Sequence, residues 1–436
     1  MATRYINQKT ARLYEDTSGG SFAMVMIFGD EVDATVNAAP VNGRLPATFR
    51  GRNGFVRADQ IGTQPALEIY FIDVGQGDAT FIVTPGRRNI LIDGGLDRRA
   101  LGFLIWKYRL DQPGNSVDVD LLVLSHADGD HLNGLVPIIE HGQIHVHHII
   151  HSGIATFATG AFGTALGDLD PTGNFLTTCH DRINDLDGLN LSNEFKAWRD
   201  AIRSEGTDYR RVDTRTDVGY INALFPEISL EIIGPRFDVA AHGFPWFGGT
   251  APTINGHSVV LRLTFGGVQA LFAGDLNIQG SRHLLDDPIL TNSMNAHVFK
   301  CPHHGSHEFH RPFLEAVRPQ ISAISSGDEP DHGHPRAVFV GAMGKASRSP
   351  DPLLFSTEIA ATFVEAGETI PAEEANLTLD AIDFSTATAN ETARRLFKQR
   401  LPGIINVRTD GSQLYAARRV AAGYWWEAYG PLPPTP

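Results

Sequence analysis

Ser125-His126-Ala127-Asp128-Gly129-Asp130-His131 sets four possible metal ligands, His126, Asp128, Asp130 and His131, within six residues. The stretch follows the wholly apolar run Leu121-Leu122-Val123-Leu124, which has the character of a buried central strand. On a tight loop, His126 and Asp128 can turn to one side and Asp130 and His131 to the other, with Gly129 letting the backbone bend between them. Two such sets suit two cations a few ångströms apart, the separation used in two-metal hydrolysis. Zinc takes roughly four neighbours, so further ligands must come from elsewhere in the chain.

The ends of later strands offer them. His257 stands in Asn255-Gly256-His257-Ser258, just before the apolar run VVLRLTF; Asp275 ends LFAGD; His303 and His304 follow HVFKCP. A carboxylate between two histidine-bearing loops, such as Asp275, has two oxygens with which to bridge. Taken alone, the 125–131 stretch is also compatible with a turn whose Asp residues cap a helix, since Asp130 precedes LNGLVPIIE. Four motifs in order favour the metal reading. The other histidines of the first cluster, in HVHHIIHS, read as a strand with alternating faces and ordinary surface or packing roles.

The chain has 436 residues and a formal charge of −14, from 36 Lys+Arg and 50 Asp+Glu. That balance argues against a binder held to nucleic acid mainly by charge. With 42% hydrophobic and 20% charged residues, the composition excludes disorder as the main state. Cys179 and Cys301, the two cysteines, build neither a disulfide framework nor a CxxC zinc site. No basic-then-apolar leader and no long apolar run is visible, so the expectation is a cytoplasmic protein with no membrane partner. Of 18 histidines, 14 fall in two windows, 126–151 and 297–334.

Residues 1–64 alternate short apolar runs with Gly, Asn and Pro, which suggests a small β module, SH3-like or a simple β extension, with an unknown protein partner. Residues 65–430 read as the main α/β domain, with a less regular insertion around 152–250 that shapes substrate access. Within it, three strands follow closely in ALEIYFIDV, DATFIVT and NILIDGG, then a helix over 98–109, and a second helix is expected at 193–203. Near the end, GIINVRTDGSQLYAARRV reads as a hairpin with Asp410-Gly411 as a two-residue turn.

HADGDH followed by LNGL, then GHS, LFAGD and CPHHGS, resembles the metallo-β-lactamase superfamily. More narrowly, FIDVGQGDATFIV, NILIDGG, LFAGDL and FKCPHHGS resemble the branch that includes the catalytic domain of bacterial competence (DNA-uptake) channel proteins. The resemblance covers about residues 67–345 and implies an αββα four-layer sandwich with a dinuclear site at one edge. It implies that His126, Asp128 and His257 hold one metal, Asp130, His131 and a CPHHGS histidine the other, and Asp275 bridges them. Both His303 and His304 are candidates, with His304 preferred because Gly305 follows it. Asp128 stands where the family usually has histidine, and this harder ligand favours manganese over zinc, so the cofactors expected are two divalent ions, Zn2+ or Mn2+. By the same resemblance, Asp73, Asp78 and Asp93 order the loops behind the ligands.

A hydroxide generated between the two cations is the expected nucleophile, with Asp130 orienting it and shuttling its proton. Lys300, and His332 and His334 in the segment Asp331-His332-Gly333-His334-Pro335-Arg336, are candidates to contact phosphate or protonate a leaving group; a plain helix start at Pro335 is the competing reading. The expected activity is that of a metallo-hydrolase acting on a phosphodiester, as a phosphodiesterase or nuclease. The charge of −14 equally suits a small phosphodiester, such as a cyclic nucleotide or choline phosphoester. A lactonase or β-lactamase-like hydrolase uses the same site without phosphate-binding cations, and a non-enzymatic adaptor with a metal-stabilised fold is the remaining alternative.

Overall fold

The dense apolar stretch from Ala66 folds into three antiparallel strands, Leu67–Phe71, Thr80–Val83 and Asn89–Ile92, in which every residue is buried. Strands without a polar face need cover on both sides. In a computed structural model, which describes residues 1–327, 333–358, 403–419 and 426–435, they receive it from a second sheet and from helices. Asn89–Ile92 pairs in parallel with Val117–Leu124, which pairs in parallel with Ile144–His151, itself parallel to Asp208–Arg211. On the other side, Leu67–Phe71 pairs with Ile405–Thr409, followed by Leu414–Arg419 and Trp426–Leu432, making nine strands.

The second sheet has six strands in the order Ser229–Gly234, Val260–Phe265, Val268–Phe272, Val298–Lys300, Ile321–Ile324 and Leu353–Ser356, the last four parallel. Alternation of side chains sorts each strand between two cores. Ile69, Phe71, Leu121 and Val123 meet Leu261, Leu263, Ala270 and Phe272 between the sheets. Tyr70, Phe81, Leu122 and Leu124 face outward under helices Arg99–Tyr108 and Asn193–Glu205. Val260, Leu271 and Phe299 lie under helices Ile278–Leu285, Arg311–Val317 and Ala337–Ala346. The layers are therefore helix, sheet, sheet, helix.

Residues 2–62 form a separate antiparallel sheet of seven strands with its own small core around Leu13, Met26 and Val56. It docks on the far edge of the first sheet, where Arg408 pairs with Asp30 at 2.8 Å and Phe28 stacks on Tyr415 at 4.0 Å. The 152–250 stretch is more integrated than an appended insertion. It contributes Asp208–Arg211 to the first sheet and Ser229–Gly234 to the second, and helix Asn193–Glu205 begins at Ser192, whose Oγ accepts the Phe195 N–H at 3.2 Å. The terminal hairpin turns over four residues, 410–413, rather than two, because Thr409 pairs with Leu414 and Asp410 Oδ1 accepts the N–H groups of Ser412 and Gln413. Among the described residues, no helix is long and apolar enough to cross a membrane.

Candidate metal centre

Parallel strands end together, so loops that follow them converge on one edge of the sandwich. Asp93 follows Asn89–Ile92, the 125–131 loop follows Val117–Leu124, Asp275 lies beyond Val268–Phe272, His303 and His304 beyond Val298–Lys300, and Ser325 just after Ile321–Ile324. The side chains meet where these loops do. His304 Nε2 is 3.1 Å from Asp275 Oδ2 and 3.4 Å from Asp130 Oδ2, and His131 Nε2 is 3.3 Å from Asp275 Oδ1. His126, His131 and Asp275 form one such group, Asp130, His131 and His304 a second. Asp128, on the more exposed side, brings Oδ2 to 3.6 Å from His126 Nε2.

The rings are aimed from behind. Asp93 Oδ2 lies 2.9 Å from His131 Nδ1 and accepts the Ser125 hydroxyl at 2.7 Å, while Asp93 Oδ1 accepts the Ser125 N–H at 2.7 Å. His304 Nδ1 donates to the Ser325 carbonyl at 3.1 Å. With Nδ1 engaged, each Nε2 points inward, the arrangement that metal-bound histidines adopt. Strained backbone accompanies this placement: Asp93, His303 and His304 have φ of 60°, 50° and 51°.

The donor set fits a divalent cation. His131 Nε2, His304 Nε2 and Asp275 Oδ1 are buried with no hydrogen-bond partner, although His131 Nε2 and Asp275 Oδ1 stand 3.3 Å apart and His304 Nε2 is 3.1 Å from Asp275 Oδ2; Asp78 Oδ1, also unpartnered, lies 3.6 Å from His304 Nδ1. Metal–ligand bonds of about 2.1 Å at tetrahedral angles put ligand atoms roughly 3.4 Å apart, close to these separations. The electrostatics point the same way. Burial would push His131 and His304 down, but the carboxylates around them, Asp275 foremost, hold His131 well above the ordinary imidazole value and His304 at about 10. Burial opposes ionisation of Asp275 too, yet the two imidazoles hold it well below the usual carboxylate range. The cluster calls for positive charge, which protons or metal can supply.

Other candidates lie elsewhere. His257 is not brought to the cluster: its Nε2 donates to the Pro245 carbonyl at 2.8 Å and its ring stacks on Phe247 at 4.7 Å. His303 stands beside the cluster rather than in it, its ring 6.3 Å from that of His304. His334, also buried, packs near both, at 6.1 and 6.2 Å. Lys300 is buried, with its ammonium on Asp78 Oδ2, so it lies behind the cluster and not over it. His332 falls outside the described residues. Asp78 goes beyond the supporting role expected of it, because its free oxygen joins Asp275 and His304 in a third group.

A family model, the metallo-β-lactamase superfamily, matches residues 72–327, more than half of the chain and all of this centre. The chain belongs to the metallo-β-lactamase superfamily. The four-layer sandwich and the cluster at its edge are accordingly those of a metal-dependent superfamily hydrolase. Among curated proteins, ComE operon protein 3 of Bacillus subtilis (strain 168) is 23% identical over 297 residues, 64% of this chain. The chain spans only 31% of the length of that relative. Among solved structures, a motif mutant of a metallo-β-lactamase from Cronobacter sakazakii is 15% identical, with a TM-score of 0.27 over 53% of this chain and 75% of that one. A mutant of the CmlA β-hydroxylase is 12% identical, with a TM-score of 0.34 over 69% of this chain and 54% of that one.

Proposed function

We propose that this superfamily hydrolase cleaves phosphodiesters. The observation that carries the reading is the donor set. Four carboxylates, Asp78, Asp128, Asp130 and Asp275, stand with three imidazoles, His126, His131 and His304, while His257 is turned away. Oxygen-rich sets suit hard ions with affinity for phosphate oxygens, and Mn2+ or Zn2+ is the expected occupant. Asp130, His131, His304 and Asp275 would hold one ion; His126 and Asp128, with Asp275 between, would hold a second more loosely. Bound there, such ions supply Lewis acidity and bring the pKa of water toward about 7.

The chain's own residues divide the remaining work. Asp93 and the Ser325 carbonyl fix the two buried rings, and Lys300 fixes Asp78. Asp130, partly exposed, orients the attacking water and takes its proton on a carboxylate oxygen. His303, beside the cluster with the His334 ring packed 6.1 Å from its own, offers an N–H group to the phosphate or the leaving oxygen. The overall charge of −14 suits a small phosphodiester at least as well as a long polymer. Assays of bis(p-nitrophenyl) phosphate, a cyclic nucleotide, single- and double-stranded DNA, RNA and a lactone panel, each with zinc and with manganese, test the proposal. Chelator-sensitive phosphodiester cleavage is the result expected. Lactone turnover without phosphodiester cleavage overturns it.

A further inference from the structure

Parallel pairing of Ile92 with Val123 brings Asp93 alongside Ser125, the residues that follow the ends of their strands. Asp93 N–H donates to the Val123 carbonyl at 2.9 Å, and Asp93 Oδ1 in turn accepts the Ser125 N–H at 2.7 Å. Ser125 is fully buried, and its carbonyl accepts the Val259 N–H at 2.8 Å. A Cβ built on Gly274 would stand 2.8 Å from Ser125 Cβ, so the edge of the second sheet closes over the residue. Packing of this kind leaves the hydroxyl little freedom. Around it, His126 Nδ1 lies at 3.0 Å and His131 Nδ1 at 3.4 Å, with the two ring centroids 4.1 Å apart.

The supply of hydrogens fixes the direction of each bond. A carboxylate only accepts, so Asp93 Oδ2 takes the Ser125 hydroxyl hydrogen at 2.7 Å and the His131 Nδ1 hydrogen at 2.9 Å. With its single hydrogen committed to Asp93, the Ser125 oxygen has only a lone pair to offer His126, and His126 Nδ1 must supply the hydrogen between them. His126 then carries its proton on Nδ1 and leaves Nε2 bare, on the side where Asp128 Oδ2 stands 3.6 Å away. The three rings are supported differently. His131 has a carboxylate behind it, and His304 has the Ser325 backbone carbonyl, which no side-chain substitution removes. Among the described residues, the partner of His126 Nδ1 is the Ser125 hydroxyl.

We propose that Ser125 is the positioning residue for the more exposed of two cation sites. Its hydroxyl fixes the His126 tautomer that can ligate, and through Asp93 it ties that ring to the ring of His131. This role rests on the two-ion part of the reading above, not on the substrate. A partner lost from behind a ligating imidazole costs about 10–100-fold in metal affinity. Deleting the Ser125 hydroxyl should place that loss on the ion held by His126 and Asp128. The ion held by Asp130, His131 and His304 keeps its own supports.

Competition of Zn2+ against a chromophoric chelator, with elemental analysis after desalting, tests this on the full chain and on Ser125→Ala. The parent is expected to hold two ions of unequal affinity. In Ser125→Ala the weaker ion should lose about 10–100-fold in affinity while the tighter stays within about threefold. Equal weakening of both ions, the effect of a general loosening of the fold, overturns the proposal. Retention of both at parental affinity also overturns it and leaves the hydrolase reading intact. A parent that binds fewer than two ions overturns the proposal together with the two-ion reading. Selective loss of the weaker ion in a protein that cleaves no phosphodiester would uphold the role of Ser125 and reject the phosphodiester reading. Because Ser125→Ala could fail to fold, nitrogen-15 NMR of the histidine-labelled, zinc-loaded full chain supplies a second readout, with His126→Gln identifying the His126 signals. A protonated Nδ1 and a metal-bound Nε2 are expected at His126. A ring bound through Nδ1, or one protonated on Nε2, overturns the proposal.

Discussion

His304 and His257 are both buried histidines at the ends of elements, and the atom each ring presents separates them. His304 engages the Ser325 carbonyl through Nδ1 and leaves Nε2 among Asp130 and Asp275. His257 uses Nε2 on the Pro245 carbonyl and lies against Phe244 and Phe247. Replacing His304 by Ala should therefore remove tightly bound metal and hydrolysis together, since a ligand is lost from the fuller set. His257→Ala should leave metal content unchanged and lower stability by roughly 1–3 kcal/mol, the cost of a buried carbonyl left without its donor. Elemental analysis beside thermal unfolding checks both. Equal metal loss in the two variants would return His257 to the ligand set.

The turn Gly75-Gln76-Gly77 brings its strand ends against the 125–131 loop, and Asp78 N–H donates to the Asp130 carbonyl at 3.3 Å. Gly77 has φ 97°, and a Cβ there would lie 1.8 Å from that carbonyl. Gly77→Ala should push the Asp130 loop outward and cut hydrolysis about 100-fold, the scale expected for a displacement near 1 Å. Steady-state kinetics at saturating metal measure this, and activity within twofold of the parent would show that the loop yields freely. The same turn marks the limit of what local pattern conveys. Apolar runs such as LLVL mark the strands, and the acidic and histidine residues that end them mark candidate ligands, but the four-layer sandwich and the grouping of those ligands follow only from the family resemblance. Asp78 was legible only as a supporting residue. Its wider part depends on Thr80–Val83 running back beside Asn89–Ile92, a tertiary pairing without a local signature. The side chain of His257 was misjudged for a related reason. Helix Thr250–Gly256 ends at that residue and turns its ring toward Pro245, and spacing to the next strand does not encode that rotation. The strand Asp208–Arg211 is short and polar, so it reads as part of an insertion although it joins the first sheet.

Acid should act on the molecule in two stages, because its buried groups with depressed pKa values differ in kind. His151 and His257 are each held down to about 3, first by burial. Glu68 is different: burial alone would raise it, but Lys107, Arg408 and Arg87 bring it to about 2. In all three the folded value lies below the unfolded one, so the stabilisation is complete above the unfolded pKa and is lost as pH falls toward the folded one. For the histidines the loss begins near pH 6.5 and reaches on the order of 4 kcal/mol apiece by about pH 3. For Glu68 it begins near 4.5 and falls on the contact between the N-terminal sheet and the main domain, where Arg408 joins Glu68 to Asp30. Between pH 7 and 4.5, then, the core histidines should dominate the fall in Tm. His151→Gln, which keeps a polar group near the Tyr209 hydroxyl that now lies 3.1 Å from Nδ1, should flatten that fall while leaving the steeper drop below pH 4.5 in place. Thermal unfolding followed at half-unit pH steps provides the comparison. An unchanged slope above pH 4.5 would mean that His151 takes up its proton in the folded state at little cost, against its complete burial beneath helix Asn193–Glu205.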